Sequence, residues 1–374
     1  MINRHLQTHI EKKMFKGKAI IIYGARQVGK STLSEILLKS KSCKSIIFNA
    51  DDYDVRRLFS EVNISKLKAL INNSNCILID EAQRIPEIGI AIKIIVDRIP
   101  GVQIIATGSS SFHLFQSVRE SLTGRAWEFM LYPLSYAEIT EHTNLLETER
   151  NLHRQLIYGS YPEVYNSRGD EQDLLKLLHT SYLYRDLQLI SSLDRPEILD
   201  MLLRALALQV GNEVSLNELA QLISVDRATI SKYIKLLENA FIIFSLPALA
   251  KNVRNEIKKA KKIYFWDNGI RNAVINNFNP TDLRTDIGAL WENYCISERM
   301  KKLSNEKSLV GKYFWRTTQQ QEIDYIEDIN GQLNAFEFKW NPKKKARLPL
   351  TFARAYPKHK FSVINPENLH TFLL

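Results

Sequence analysis

Cysteine is scarce in this chain. Cys43, Cys76 and Cys295 are the only three in 374 residues, and they lie far apart without the spacing of a zinc ligand set. That excludes a disulfide framework and a structural zinc, and points to a reducing compartment. Long hydrophobic runs are missing as well. The longest nearly apolar stretch, Phe241 to Ala250, is about half the roughly 20 residues that cross a bilayer, so no transmembrane helix is expected. Lysines at 12, 13, 16 and 18 precede a short apolar run, but that run leads into a glycine loop and not a small-residue cleavage site. The expectation is a cytoplasmic protein without membrane contact. Glycine (14) and proline (11) are too few for a collagen-like or low-complexity chain, and 45% hydrophobic residues argue against disorder.

The length, at roughly 150 residues per domain, suggests two or three domains. The formal charge of +10 is unevenly spread. Residues 1–150 carry 20 basic and 16 acidic side chains, residues 151–250 carry 9 and 12, and residues 251–374 carry 22 and 13. A polyanionic partner such as DNA should therefore meet the last third first.

The apolar run Ala19 to Tyr23 reads as a buried strand. It is followed by Gly24, Ala25, Arg26, Gln27, Val28, Gly29, Lys30, Ser31 and Thr32, which match G-x-x-x-x-G-K-[ST]. Leu33, Ile36 and Leu37 then recur at helical spacing, so the loop joins a strand to an amphipathic helix. Glycines let backbone N–H groups wrap phosphates, the helix N-terminus adds positive potential, Lys30 reaches the terminal phosphates of ATP, and Ser31 can ligate Mg2+. Thr32 is a neighbour and not a ligand in this register.

A second apolar strand, Cys76 to Ile79, ends in Asp80 and Glu81. Asp80 is placed to hold magnesium through water, and Glu81 to orient the attacking water. The strand Val102 to Ala106 ends in Thr107, Gly108, Ser109, Ser110 and Ser111, putting small polar groups at the same sheet edge. Thr107 or Ser109 could sense the terminal phosphate, or the turn could cap the next helix. Arg125, in Leu122-Thr123-Gly124-Arg125, is a candidate to stabilise charge on the transferring phosphoryl group; a surface ion pair accounts for it equally well.

Taken in order, GARQVGKST, ILIDEAQRIPE, ATGSSS and SLTGR…LYPLSYAEI resemble the bacterial and archaeal AAA-type P-loop ATPases that carry a C-terminal domain of unknown function. The resemblance covers nearly the whole chain. It implies Walker A for Gly24 to Ser31, Walker B for Asp80 and Glu81, and a sensor for Thr107 to Ser109. For Arg125 it implies an arginine finger or sensor, acting on its own nucleotide or a neighbour's. It also implies ATP and Mg2+ as cofactors and a homo-oligomer.

From Leu134 to about Val210 the apolar spacing is helical, with a break at Gly159 to Pro162, and reads as a helical lid and connector (133–210). Leu216 to Ile223 and a second helix capped by Asp226 and running to about Asn239 read as helix-turn-helix. Ile230, Ile234 and Leu237 point inward, and Thr229, Lys232 and Lys235 outward. Phe241 to Leu246 would begin a wing, and Lys251, Arg254, Lys258, Lys259, Lys261 and Lys262 a basic wing tip or a solvated charge run. This central winged helix is assigned to 211–265, with DNA or a protein as its partner.

In residues 266–374, Glu322 to Ile326 and Leu333 to Trp340 flank an Asn330-Gly331 hairpin signal. Period two puts Ala335, Glu337 and Lys339 on one face and Phe336, Phe338 and Trp340 on the other. If Asp324 shares the first face, two carboxylates and an amine converge, a set suited to binding magnesium and activating water against a phosphodiester. Asp324…Glu337-Phe338-Lys339 resembles the PD-(D/E)xK restriction-endonuclease-like superfamily, which implies a helical glutamate as a further metal ligand: Glu292 first, Glu298 second. The alternative is an exposed cross-strand ion pair. The expected fold is thus α/β throughout: a P-loop core with a parallel sheet (1–132), a helical lid, a winged helix, and an α/β nuclease-like end. The expected function is ATP hydrolysis coupled to conformational change on DNA. The alternative is a nucleotide-switched protein-binding ATPase with a silent nuclease-like domain.

Overall fold

The computed structural model describes residues 2–61, 63–71, 73–108, 122–183, 195–249 and 261–374. Two compact units account for them. The first comprises the residues up to Pro133 with Asn239–Phe241, and the second the remainder from Leu134 onward. Among the described residues no helix is long and apolar enough to cross a membrane, and the three cysteines are free thiols.

The first unit is built on a five-stranded parallel sheet: β1 Ala19–Tyr23, β2 Ser45–Asn49, β3 Cys76–Asp80, β4 Gln103–Gly108 and β5 Ala126–Met130. The order is β2-β3-β4-β1-β5, with every pairing parallel. Helices α1 His5–Glu11, α2 Lys30–Ser40, α3 Tyr53–Ser60, α4 Ile64–Ile71 and α5 Ile88–Arg98 accompany it. Strands β1, β3 and β4 are buried almost end to end, as a parallel sheet covered on both faces requires. One core packs Ile21, Ile77, Ile79 and Ile104 of the sheet against Ile88, Ile92 and Ile95 of α5. Because all five strands run the same way, the segments leaving β1, β3 and β4 emerge at one edge. This is an α/β fold with a parallel sheet consistent with a P-loop NTPase core.

The second unit opens with short helices: α6 Tyr136–His142, α7 Leu145–Arg150, α8 Leu152–Tyr158, α9 Pro162–Asn166 and α10 Glu171–Leu177. Ser135 and Glu138 form a reciprocal capping box on α6. After α11 Pro196–Leu208 come β6 Glu213–Val214, α12 Leu216–Ile223, α13 Arg227–Asn239, β7 Ile243–Pro247 and β8 Lys261–Phe265, the strands ordered β6-β8-β7 and antiparallel. Asp226 caps α13 by accepting from the Thr229 N–H at 2.8 Å, and Ile230, Ile234 and Leu237 face inward. Lys251, Arg254, Lys258 and Lys259 lie outside the described residues.

Helices α14 Asn268–Val274 and α15 Ile287–Asn305 lead into β9 Gly311–Arg316, β10 Glu322–Ile329, β11 Gln332–Phe338, α16 Leu350–Ala355, β12 His359–Ile364 and α17 Leu369–Leu373. The sheet order is β12-β11-β10-β9, with only the β11–β12 pair parallel. Asn330 and Gly331 both take positive φ (53° and 82°) in the two-residue turn between β10 and β11. Ile326, Leu333 and Ala335 pack with Phe352 on one face, while Phe336 and Phe338 meet Phe372 on the other.

Candidate nucleotide site and a buried carboxylate cluster

The loop after β1 turns through positive φ at Gly24 (157°), Gln27 (56°) and Gly29 (95°). A side chain at Gly24 would strike the carbonyl oxygen of Leu131, whose N–H donates to the Tyr23 carbonyl at 2.8 Å. Glycine there lets the loop and the strand exit lie against each other. Lys30 opens α2 and is buried, its Nζ donating to the carbonyls of Ala25 (2.7 Å) and Gly24 (3.1 Å), so the ammonium sits within the curve of the loop.

Three strand ends converge beside it. The Ser31 hydroxyl donates to Asp80 Oδ2 at 2.9 Å, and the fully buried Thr107 hydroxyl, at the end of β4, donates to Asp80 Oδ1. The Glu81 N–H reaches Thr107 Oγ1 at 3.3 Å, and Glu81 itself takes a left-handed conformation (φ 51°). Such a conformation is uncommon for a non-glycine residue and sets the direction in which its side chain leaves the strand. A hydroxyl and a carboxylate placed this way are hard oxygen donors that suit Mg2+. Arg26, Val28 and Thr32 complete the predicted loop, with Thr32 exposed and Val28 buried. Ser109, with Ser110 and Ser111, lies outside the described residues.

Arg125 is not brought to this loop. It immediately precedes β5, which runs parallel to β1 with Ala126 opposite Ala19. That puts Arg125 at the other edge of the sheet, about 15 Å away at ~3.3 Å per strand residue. There its Nε donates to both oxygens of Asp97, at 2.8 and 3.1 Å, and holds that carboxylate below its usual range. Of the two readings the sequence allows, this geometry is the surface ion pair.

Sequence reasoning missed Arg4. Its buried guanidinium donates to the carbonyls of Val28 (2.7 Å) and Tyr132 (2.5 Å), tying the phosphate loop to the exit of β5. An isolated arginine just before a short helix carries no sequence signal of that role.

In the second unit, β10 and β11 pair Tyr325 with Phe336 and Ile326 with Ala335. Continued by one step, that register sets Asp324 opposite Glu337 on the same face. Asp324 Oδ2 accepts from the Phe338 N–H at 2.9 Å, and Lys339 Nζ donates to Glu337 Oε2 at 2.7 Å. Burial and the neighbouring Glu337 charge push Asp324 up to about 6, and burial pushes Glu292 of α15 up to about 7. Two expectations need correction. Glu298 belongs elsewhere: it pairs with buried Lys301 at 2.7 Å and accepts from the Tyr136 N–H at 2.7 Å. Lys262 is no part of a solvated charge run, since only 1% of its side chain is exposed. It pairs with Glu292 at 3.1 Å and with Glu322, and Tyr264, two residues along the same face of β8, donates to Glu292 at 2.6 Å.

The proposed magnesium set Glu292, Asp324 and Glu337 is thus filled with protein donors. Among the described residues no three His, Cys, Asp or Glu side chains stand together as a metal-holding group. These donors do not fit a divalent ion.

On α13, Arg227, Lys232 and Lys235 are exposed, and the half-buried Thr229 donates its hydroxyl to Asp226 at 2.6 Å. A groove of about 820 Å³ runs beside the helix, and Glu213, Glu218 and Glu238 line it together with Arg227, Lys235 and Lys261. Its charges cancel, unlike those of a phosphate-binding surface.

Comparison with known proteins finds three matches along the chain. Residues 149–281 match the model of a domain of unknown function (DUF8612), and residues 287–371 that of another (DUF4143). An uncharacterized protein of Mycobacterium tuberculosis is 26% identical over 342 residues, 90% of this chain and 73% of that protein. One from Methanocaldococcus jannaschii is 26% identical over 380 residues, 95% and 82% of the two chains. Residues 16–140 match the model described as AAA domain, which supports an AAA-type ATPase core around the Gly24–Ser31 loop.

Proposed function

We propose that the chain is a Mg2+-dependent ATPase, an observation carried above all by the convergence of Ser31, Asp80 and Thr107 beside Lys30 at one sheet edge. Ser31 and Asp80 would hold the magnesium ion, which would screen the phosphate charge. Lys30 turns its ammonium from the loop carbonyls toward the terminal phosphates. Glu81 orients the attacking water, and Thr107 fixes Asp80 and the Glu81 backbone in place. Arg125 is left out of this chain's own site. Service at a neighbour's nucleotide would need a homo-oligomer, which sedimentation with and without ATP tests.

Hydrolysis drives rearrangement of the second unit. The β6–α12–α13–β7–β8 element, preceded by α11, is read as a winged helix, its order β6-β8-β7 supporting that reading. The mixed charge of its groove favours a protein partner there and leaves DNA contact to exposed basic side chains such as Lys343, Lys344, Lys345, Arg347, Lys358 and Lys360. Phosphate release by the purified chain tests the proposal. Lys30→Ala should lose nucleotide binding. Glu81→Gln should still bind ATP but turn it over about 10²-fold more slowly. Equal turnover in wild type and both variants would sink the reading, and turnover indifferent to DNA at low salt would remove the DNA part alone.

A further inference from the structure

The carboxylates of the C-terminal cluster are each engaged by a fixed proton donor. Glu292 Oε1 receives both the Lys262 ammonium (3.1 Å) and the Tyr264 hydroxyl (2.6 Å). Glu322 pairs with Lys262 and lies 3.8 Å from Arg316. Asp324 receives the Phe338 N–H, and Glu337 the Lys339 ammonium. Four acidic side chains thus each have a donor, with Lys262 the buried cation among them and Glu322, Arg316 and Lys339 partly exposed.

Lys262 cannot readily withdraw. Its strand is the middle one of its sheet, with Glu213 on one side and Leu246 on the other, and its ammonium lies 5.5 Å from the centre of the Phe314 ring. Lys262 is also the cation shared between the helix that carries Glu292 and the strand that carries Glu322 and Asp324. A magnesium ion bound there would sit about 2.0–2.1 Å from the same oxygens, within the volume the ammonium already fills.

We infer that Lys262 is the resident cation of this cluster, an internal substitute for a divalent ion that closes the site to metal. Its single fixed charge and three N–H donors hold the helix to the sheet, as a shared metal would, without supplying a Lewis acid or a bound water. The cluster then serves as a structural joint between the three-stranded and four-stranded sheets. This goes beyond the ATPase reading and does not depend on it.

Mn2+ binding to the full chain, followed by electron paramagnetic resonance without nucleotide, tests the inference, because any ion taken up near Ser31 contributes equally to every variant. Wild type and Asp324→Asn should bind the same amount of Mn2+. Lys262→Met should gain one further site at least tenfold tighter than any wild-type binding at the cluster, and Lys262→Met with Asp324→Asn should lose it. A wild-type site abolished by Asp324→Asn would overturn the inference, as would a folded Lys262→Met variant that gains none. If Lys262→Met does not fold, the comparison of wild type with Asp324→Asn decides the matter alone: equal binding upholds it and lost binding refutes it.

Discussion

Thr107→Val removes one hydroxyl from a fully buried position and keeps the shape of the side chain. Two contacts go with it: the charge-assisted hydrogen bond to Asp80 Oδ1 and the acceptor for the Glu81 N–H at 3.3 Å. A hydrogen bond to a charged group contributes ~1.5–3 kcal/mol, while the Glu81 N–H keeps Asp80 Oδ1, at 3.2 Å, as an acceptor. Asp80 and Glu81 are only half-buried, so water recovers part of both. The expected loss of stability is therefore about 2 kcal/mol, read from the urea midpoint of the first unfolding transition. Thr107→Ser keeps the hydroxyl and loses one buried methyl group, at a cost of about 1 kcal/mol. The variants should separate far more widely in turnover. With Asp80 Oδ1 released from Thr107 and held on the other oxygen by Ser31, kcat for ATP should fall at least tenfold in the valine variant, equivalent to about 1.4 kcal/mol of barrier, while the serine variant stays within about threefold of wild type. Equal kcat values for the two variants would refute the claim that the hydroxyl positions Asp80 and Glu81.

Four further outcomes are expected. Lys301→Met leaves Glu298 buried without its partner and should cost ~3–5 kcal/mol, most of it regained in Lys301→Met with Glu298→Gln, as denaturant titration will show. Glu292 faces Lys262, Tyr264 and Asp324, and its carboxyl is raised from 4.5 to about 7. The folded chain therefore keeps a proton that the unfolded chain has shed, and stability should fall as pH rises from 4.5 to 7, by up to about 3 kcal/mol; Glu292→Gln should flatten that part of the pH profile, to which Asp324 adds the same sign between 3.8 and about 6. Gly24→Ala forces a methyl group onto the Leu131 carbonyl and should destabilise the first unit by ~1–3 kcal/mol with loss of ATP binding by calorimetry. Neutralising Lys343, Lys344 and Lys345 together should lower the slope of log DNA affinity against log salt by up to about three, near 0.9 per lost phosphate contact; an unchanged slope would place the DNA contact elsewhere.

Local patterns carried the reading wherever neighbours in the chain are also neighbours in space. The run Ala19–Tyr23 is a strand because five consecutive apolar residues precede a glycine loop, and Asn330-Gly331 turns a hairpin because both positions take positive φ. The Asp324–Glu337 pairing follows from that hairpin and from period two. Arg125 lies apart from this chain's own loop because that distance depends on strand direction: it stands before a parallel strand, so the strand's whole length separates it from Gly24–Ser31. Glu292 and Glu298 are six residues apart on one helix, about 240° around its axis at 100° per residue. One therefore meets Lys262 and the other Lys301, a choice that composition cannot make. Lys262 was hidden in a lysine run, and only the alternation Lys262, Tyr264 on a strand hinted that this lysine turns inward.

Burial also decides what the positive surplus of the C-terminal third can do. Residues 261–374 hold 18 basic and 12 acidic side chains. Of these, Lys262, Arg271, Arg284 and Lys301 are buried, as are Asp267, Glu298, Asp324, Glu327 and Glu337. The interior thus withdraws four positive and five negative groups, leaving 14 basic against 7 acidic at or near the surface. Buried pairing consumes the charges that the sequence presents as catalytic and spares those in Lys343–Arg347 and Lys358–Lys360. The same folding that pairs Lys262 with Glu292 and Glu322 therefore leaves a two-to-one basic exterior. The placement of charge thus sets the exposed basic side chains apart from the buried carboxylates in this part of the chain.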